Sequence, residues 1–181
     1  AIAQGISEEG GLFVPCEFPH FSVDKIKEMA SMCYIGRAKT VLREFLDDFS
    51  EEELDYCVSG AYAAGKFSSD AVAPTVNIHG NENVLELWHG PTCAFKDMAL
   101  QLLPYLMTVS AKKTADGKTI VILVATSGDT GKAALEGFKD VDHTKILVFY
   151  PENGVSPMQK LQMVTQEGAN VSVCAVKGNF D

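Results

Sequence analysis

One junction limits the architecture more than any other. The run Thr119–Ala125 meets a helical pattern through Thr126-Ser127-Gly128-Asp129-Thr130-Gly131. A short β-branched run of this kind suits a strand buried in a parallel sheet. The pattern after the turn, Ala133, Ala134, Leu135 and Phe138, has helical spacing. Two further strand-like runs, Lys145–Tyr150 and Val171–Val176, flank a loop over Pro151–Pro157 and a helix predicted over Met158–Gln166. Upstream, Val84–Trp88 reads as a strand before a long helical pattern from Phe95 to about Lys113, where Pro104 predicts a kink. The order is β-α-β-α-β-α-β. Parallel neighbours need crossovers, so the expected class is α/β: a mostly parallel sheet with helices on both faces and a site at the carboxyl ends of its strands.

The first part of the chain has a different rhythm. Ser22-Val23-Asp24 is a helix start followed by Ile26, Met29, Ala30 and Cys33 at three- and four-residue steps. Val41, Leu42, Phe45, Leu46 and Phe49 repeat the pattern. Ser50 before Glu51–Glu53 is a capping hydroxyl with carboxylates in the first turn, and it predicts a helix burying Leu54, Cys57, Val58 and Ala61. Residues 1–75 are therefore expected to form a small helical N-terminal subdomain, and 76–181 the α/β unit.

Charge and cysteine spacing narrow the function. Fifteen Lys and Arg against 24 Asp and Glu give a net charge of −9, with no basic stripe, which argues against a nucleic-acid partner. The longest unbroken apolar stretch, Ile120–Ala125, is far too short to span a membrane. Cys16, Cys33, Cys57, Cys93 and Cys174 are odd in number and contain no CxxC pair, so free thiols in a reducing, cytoplasmic setting are expected. The chain opens on Ala1 in what reads as the middle of something, and a trimmed chain is expected.

Two segments can carry chemistry. A helix start exposes backbone N–H groups at a positive dipole end, so 126–131 suits a phosphate or carboxylate; a well-capped turn without a ligand is the plainer alternative. A nucleotide P-loop would need glycine where Thr126 stands and Ser or Thr where Ala133 stands, and a dinucleotide fingerprint would also need glycine at 126. The second segment is Leu87-Trp88-His89-Gly90-Pro91-Thr92-Cys93-Ala94-Phe95-Lys96-Asp97. A lysine at a helix start behind apolar residues either reaches solvent or keeps its amine neutral, and a neutral amine condenses with aldehydes. The plainer alternative is a surface lysine paired with Asp97 or another carboxylate. His79, His89 and Cys93 lack metal-ligand spacing, so no metal is expected.

His89–Asp97, Ala125–Gly131, Tyr150–Gln159 and the opening Ser7–Pro15 together resemble, in order and nearly from end to end, the threonine synthase family. The resemblance implies a pyridoxal-phosphate enzyme of the tryptophan-synthase-β-like fold, a carbon–oxygen lyase that converts O-phospho-L-homoserine and water to L-threonine and phosphate. It implies that Lys96 is the Schiff-base lysine and that Asp129 lies at the cofactor. Thr126, Ser127, Gly128 and Thr130 are implied to face substrate, with Asn153 and Ser156 on a loop that helps hold its phosphate. Many relatives carry Asn where this chain has Asp129, and an ionised Asp can only accept, so Asp129 is expected to be protonated or turned aside. The glycine-rich cup for the cofactor phosphate lies later in the family than this chain extends. The chain is thus expected to be an N-terminal portion, with little cofactor binding or turnover alone. Other readings are a different pyridoxal-phosphate lyase of the same fold (a dehydratase or β-replacement enzyme) and a non-catalytic anion-binding or interaction relative.

Overall fold

The computed structural model describes residues 1–114, 117–126 and 128–178. Three helices open the chain: α1 (Val23–Ala30), α2 (Tyr34–Arg43) and α3 (Glu51–Ala61). The Ser22 hydroxyl caps α1 by accepting from the Lys25 amide. Ser50 and Glu53 close a reciprocal capping box on α3, satisfying two N–H groups the helix leaves open. Helix α3 buries the expected Leu54, Cys57, Val58 and Ala61. The apolar pattern over 41–49 does not continue α2. The helix stops at Arg43, whose guanidinium donates to the carbonyls of Leu46 (3.1 Å) and Phe49 (2.7 Å). Those bonds satisfy a coil that delivers Leu46 and Phe49 to the core, where they meet Leu54, Val58, Leu102 and Val109.

The strand expected at Val84–Trp88 belongs elsewhere than in the parallel sheet. β1 (Thr75–His79) and β2 (Glu82–Leu85) form an antiparallel hairpin, with Val76 opposite Val84. The alternation of Val76 and Ile78 with polar neighbours, followed by Gly80-Asn81, is the local signal for that pairing. The long helical pattern is broken rather than kinked. α4 (Asp97–Leu100) and α5 (Leu103–Thr114) are separate, and Pro104 is the second residue of α5, where its missing N–H leaves no bond unmade.

β3 (Ile120–Ala125), α6 (Asp129–Phe138), β4 (Thr144–Pro151), α7 (Pro157–Val164) and β5 (Val171–Val176) follow. The strands form a parallel sheet in the order β3-β4-β5, with Val124 opposite Val148 and Val148 opposite Val173. The chain is therefore α/β, with a parallel sheet behind a helical N-terminal part. Met107 of α5, Leu135 and Phe138 of α6 and Met163 of α7 pack on the sheet face formed by Ile122, Val124, Ile146, Val148 and Val173. On the opposite face Val121 and Leu123 are exposed. The turns after β3 and β4 emerge at the same carboxyl end, which is what sets the site.

Candidate functional site

The turn after β3 is built around one buried hydroxyl. Thr126 extends the strand pairing by donating its amide to the Phe149 carbonyl (3.0 Å), and its side chain is 3% exposed. Its Oγ1 accepts the amides of Gly128 and Gly131, each at 3.0 Å. Two donors at the start of α6 are thus spent on the protein itself. The amides of Asp129 and Thr130 have no acceptor among the described residues. Gly128 has φ +149°, and a Cβ there would lie 2.4 Å from the amide of Gln159. A Cβ at Gly131 would lie 2.5 Å from the Thr126 methyl and 3.1 Å from the Met163 sulfur. Both glycines are demanded by neighbouring protein atoms. Ser127, expected at the substrate, lies outside the described residues.

The lysine segment is held from both ends. His89 accepts the Ser68 amide on its carbonyl (2.8 Å), and its ring nitrogens lie 2.8 Å from the Ser68 hydroxyl and 2.7 Å from a Glu86 oxygen. Asp97 is fully buried and does not pair with Lys96. One carboxylate oxygen accepts the Thr92 amide (2.8 Å) and the other the Thr92 hydroxyl (2.7 Å). Burial pushes the Asp97 carboxyl above its ordinary range, opposed by those two bonds. A Cβ at Gly90 would fall 2.4 Å from an Asp97 oxygen, so that loop closes tightly over the carboxylate. Lys96 is the N-cap residue of α4, half-buried, with Nζ 4.6 Å from the Phe95 ring centroid. It makes no ion pair among the described residues.

These two segments meet. Thr92, Cys93 and Ala94 face Asp129, Lys132 and Gln162 across a cleft of about 150 Å³. Lys96 follows this wall of the cleft in the chain and is not one of its lining residues. Cys93 takes φ +58°, a left-handed conformation that non-glycine residues adopt mainly where the surrounding structure imposes it. A larger cavity, about 760 Å³, lies elsewhere, among Tyr56, Lys66, Gln101, Tyr105 and His143, and no expected site residue lines it.

The loop after β4 reaches the same end of the sheet. Asn153 is exposed in a turn closed by the Gly154 amide on the Pro151 carbonyl (3.0 Å). Ser156 caps α7 in a reciprocal box with Gln159: its hydroxyl accepts the Gln159 amide (3.2 Å), and its own amide donates to Gln159 Oε1 (3.1 Å). Gln159 Nε2 then donates to Asp129 Oδ1 (2.9 Å), tying the two loops together. The sequence assigns no role to Gln159, and it offers the Asp97 carboxylate only as a partner for Lys96, not for Thr92. The Ser-x-x-Gln spacing from Ser156 was the readable signal for the first; nothing local signals the second.

Among the described residues no helix is long and apolar enough to cross a membrane, and no cluster of three potential metal ligands occurs. Residues 1–62 match the family model described as threonine synthase N terminus. The threonine synthase of Pseudomonas aeruginosa is 43% identical over 179 residues, a match covering 98% of this chain and 37% of that protein. The structure of a PLP-bound threonine synthase from Brucella melitensis superposes with a TM-score of 0.88 at 40% identity, covering 99% of this chain and 38% of that one. Yeast threonine synthase gives 0.87 at 33% identity, covering 99% and 38%. The chain spans less than two-fifths of the length of these relatives. Nearly the whole chain is similar to part of these threonine synthases, and its first 62 residues match the family's N-terminal model.

Proposed function

We propose that this chain is the lysine-bearing portion of a cytoplasmic, pyridoxal-phosphate-dependent carbon–oxygen lyase that converts O-phospho-L-homoserine and water to L-threonine and phosphate. The observation that carries the reading is the cleft itself, where the segment leading into Lys96 faces Asp129 of the glycine turn. The donor set fits the cofactor. An amine without a carboxylate partner among the described residues stands at one helix start, and amides without an acceptor among the described residues stand with the Thr130 hydroxyl at another. The match to a relative that is PLP-bound supports the same assignment.

When bound, pyridoxal phosphate supplies an aldehyde for an amine to condense with and a ring that takes up electron density. Lys96 holds the cofactor and afterwards moves protons through Nζ at the substrate Cα and Cβ. Asp129 belongs to the cofactor side. The Thr130 backbone, with Ser127, binds and orients the anionic substrate, and Gly128, whose amide is held by Thr126 Oγ1, shapes the turn that presents them. Thr126 serves by fixing that backbone, and Asn153 and Ser156 contribute from the loop after β4. Residues 1–75 act as a helical support and 76–181 as the cofactor-facing unit.

Borohydride reduction of the cofactor-treated chain extended to its relatives' full length, followed by peptide mass mapping, is expected to label Lys96. A label on another lysine ends the assignment. Assays with phosphohomoserine, serine and threonine separate this reaction from that of another lyase of the same fold, and turnover confined to serine or threonine rejects it. The 181-residue chain alone is expected to show little turnover, because it spans only 37% of the Pseudomonas relative; appreciable activity would refute that dependence.

A further inference from the structure

We propose that Gln159 is a positioning residue of this site: it holds the Asp129 carboxylate away from the start of α6, so that the amides of Asp129 and Thr130 stay open to an anion. The inference rests on the reading above, in which the turn faces an anionic ligand. Four contacts support it. Gln159 Nε2 donates to Asp129 Oδ1 at 2.9 Å. Its Oε1 accepts the Ser156 amide at 3.1 Å, and its own amide donates to the Ser156 hydroxyl at 3.2 Å. The space a Cβ at Gly128 would need is filled by the Gln159 side-chain carboxamide, at 2.4 Å. The side chain is therefore anchored at its oxygen by α7 while its nitrogen reaches across to α6.

The physical problem it solves is competition. A carboxylate in the first turn of a helix is drawn to the N-terminal end of the dipole, where it would neutralise the field that attracts a ligand. Asp129 is the first residue of α6, and the amides of Asp129 and Thr130 have no other acceptor among the described residues. A donor from α7 gives the carboxylate a different partner. A hydrogen bond to a charged group is among the stronger ones a protein makes, which suffices to bias a side chain between two positions.

The test separates this role from simple capping. Gln159→Glu keeps an oxygen for the Ser156 amide, because Glu serves a capping box as well as Gln, but it removes the donor to Asp129 and adds a like charge. Amide hydrogen exchange on the full chain, read by NMR, is expected to slow at Asp129 and Thr130 by roughly fivefold or more as the carboxylate swings onto them, with the amides of α7 unchanged. The double variant Asp129→Asn/Gln159→Glu reverses donor and acceptor, keeps the total charge, and is expected to return exchange to within about twofold of the parent. In the cofactor-loaded chain extended to its relatives' full length, the single variant should raise KM for phosphohomoserine several-fold more than it lowers kcat. Unchanged exchange at Asp129 and Thr130 in Gln159→Glu, or a double variant no closer to the parent than the single one, overturns the proposal. The stated exchange pattern, found together with no phosphohomoserine turnover by the cofactor-loaded chain extended to its relatives' full length, supports the Gln159 contact and overturns the reaction assigned above.

Discussion

The closest packing constraint behind the lysine lies on another helix, and it can be tested by adding one methyl group. A Cβ at Gly137 of α6 would sit 2.1 Å from the carbonyl oxygen of Leu100 and 3.1 Å from its carbon. An ordinary carbon–oxygen contact needs about 3.3 Å, so α4 and α6 would have to part by roughly 1 Å. The obstructing atom is backbone, so no rotamer change relieves it. Overpacking costs ~1–3 kcal/mol, and a backbone clash belongs at the upper end. Alanine returns about 1 kcal/mol through its better helix propensity, leaving a net loss of about 2 kcal/mol. For a chain of this length that is a fall in Tm of roughly 4–8 °C. Urea and thermal unfolding followed by circular dichroism measure it. Gly36→Ala is the control: it also adds a methyl inside a helix, but its nearest neighbour, the Met32 Cβ at 3.3 Å, needs to give by only a few tenths of an ångström, and that variant should match or exceed the parent. Because Lys96 is the N-cap of α4, the displaced helix should also reduce borohydride labelling at Lys96. A Gly137→Ala protein as stable as Gly36→Ala would refute the reasoning and sever the link between α6 packing and lysine placement.

Asp97, Thr126 and Cys57 each carry a further expected outcome. Asp97 keeps its proton more tightly when folded, since burial raises its pKa; its contribution to stability is greatest below the ordinary carboxylate value and is lost as pH rises through the folded value, so Asp97→Asn should flatten that part of the stability–pH curve. Asp97→Ala, which orphans the Thr92 amide, should cost about 1–3 kcal/mol at neutral pH in the same unfolding assay. Thr126→Val removes the acceptor for two amides and should cost roughly 1–2 kcal/mol, whereas Thr126→Ser should stay within about 0.5 kcal/mol of the parent. Burial pushes the Cys57 thiol up to about 11, so a thiol reagent at pH 8 should modify Cys16, Cys33, Cys93 and Cys174 and spare Cys57 until the chain unfolds.

What the sequence made legible was local. Ser22 and Ser50 announced their helices, and the inward set of α3 followed from spacing because it needs only the helical period. The β3-α6-β4-α7-β5 order followed from alternating apolar runs and turn residues. The failures share a cause: each turns on a bond between distant or competing groups. The coil at 44–49 is fixed by the Arg43 guanidinium reaching two carbonyls, and no periodicity encodes that. The hairpin is the exception: its signal, Val76 and Ile78 alternating before Gly80-Asn81, is local, while a four-residue strand such as β2 read alone looks the same whichever partner it takes. Lys96 could be singled out by residue type and position, but whether Asp97 would neutralise it depended on Thr92, which takes both carboxylate oxygens.

The glycines of the site change how variants there should be interpreted. A glycine in a phosphate-facing loop is usually explained by close approach of the ligand, which predicts that adding a methyl harms binding and leaves the apo fold intact. Here Gly90, Gly128 and Gly131 are crowded by Asp97, Gln159 and Thr126, all within 2.5 Å of the missing Cβ. Added methyls must therefore first displace the side chains that hold the Lys96 segment, the Asp129 carboxylate and the turn amides. Loss of cofactor or substrate affinity in such variants would report misplacement of these groups, and it should come with a loss of stability in the absence of any ligand. The packing that shapes the cleft and the chemistry assigned to it are the same set of contacts, so a glycine variant that lost binding at full stability would separate them and return the turn to the simpler, ligand-contacting explanation.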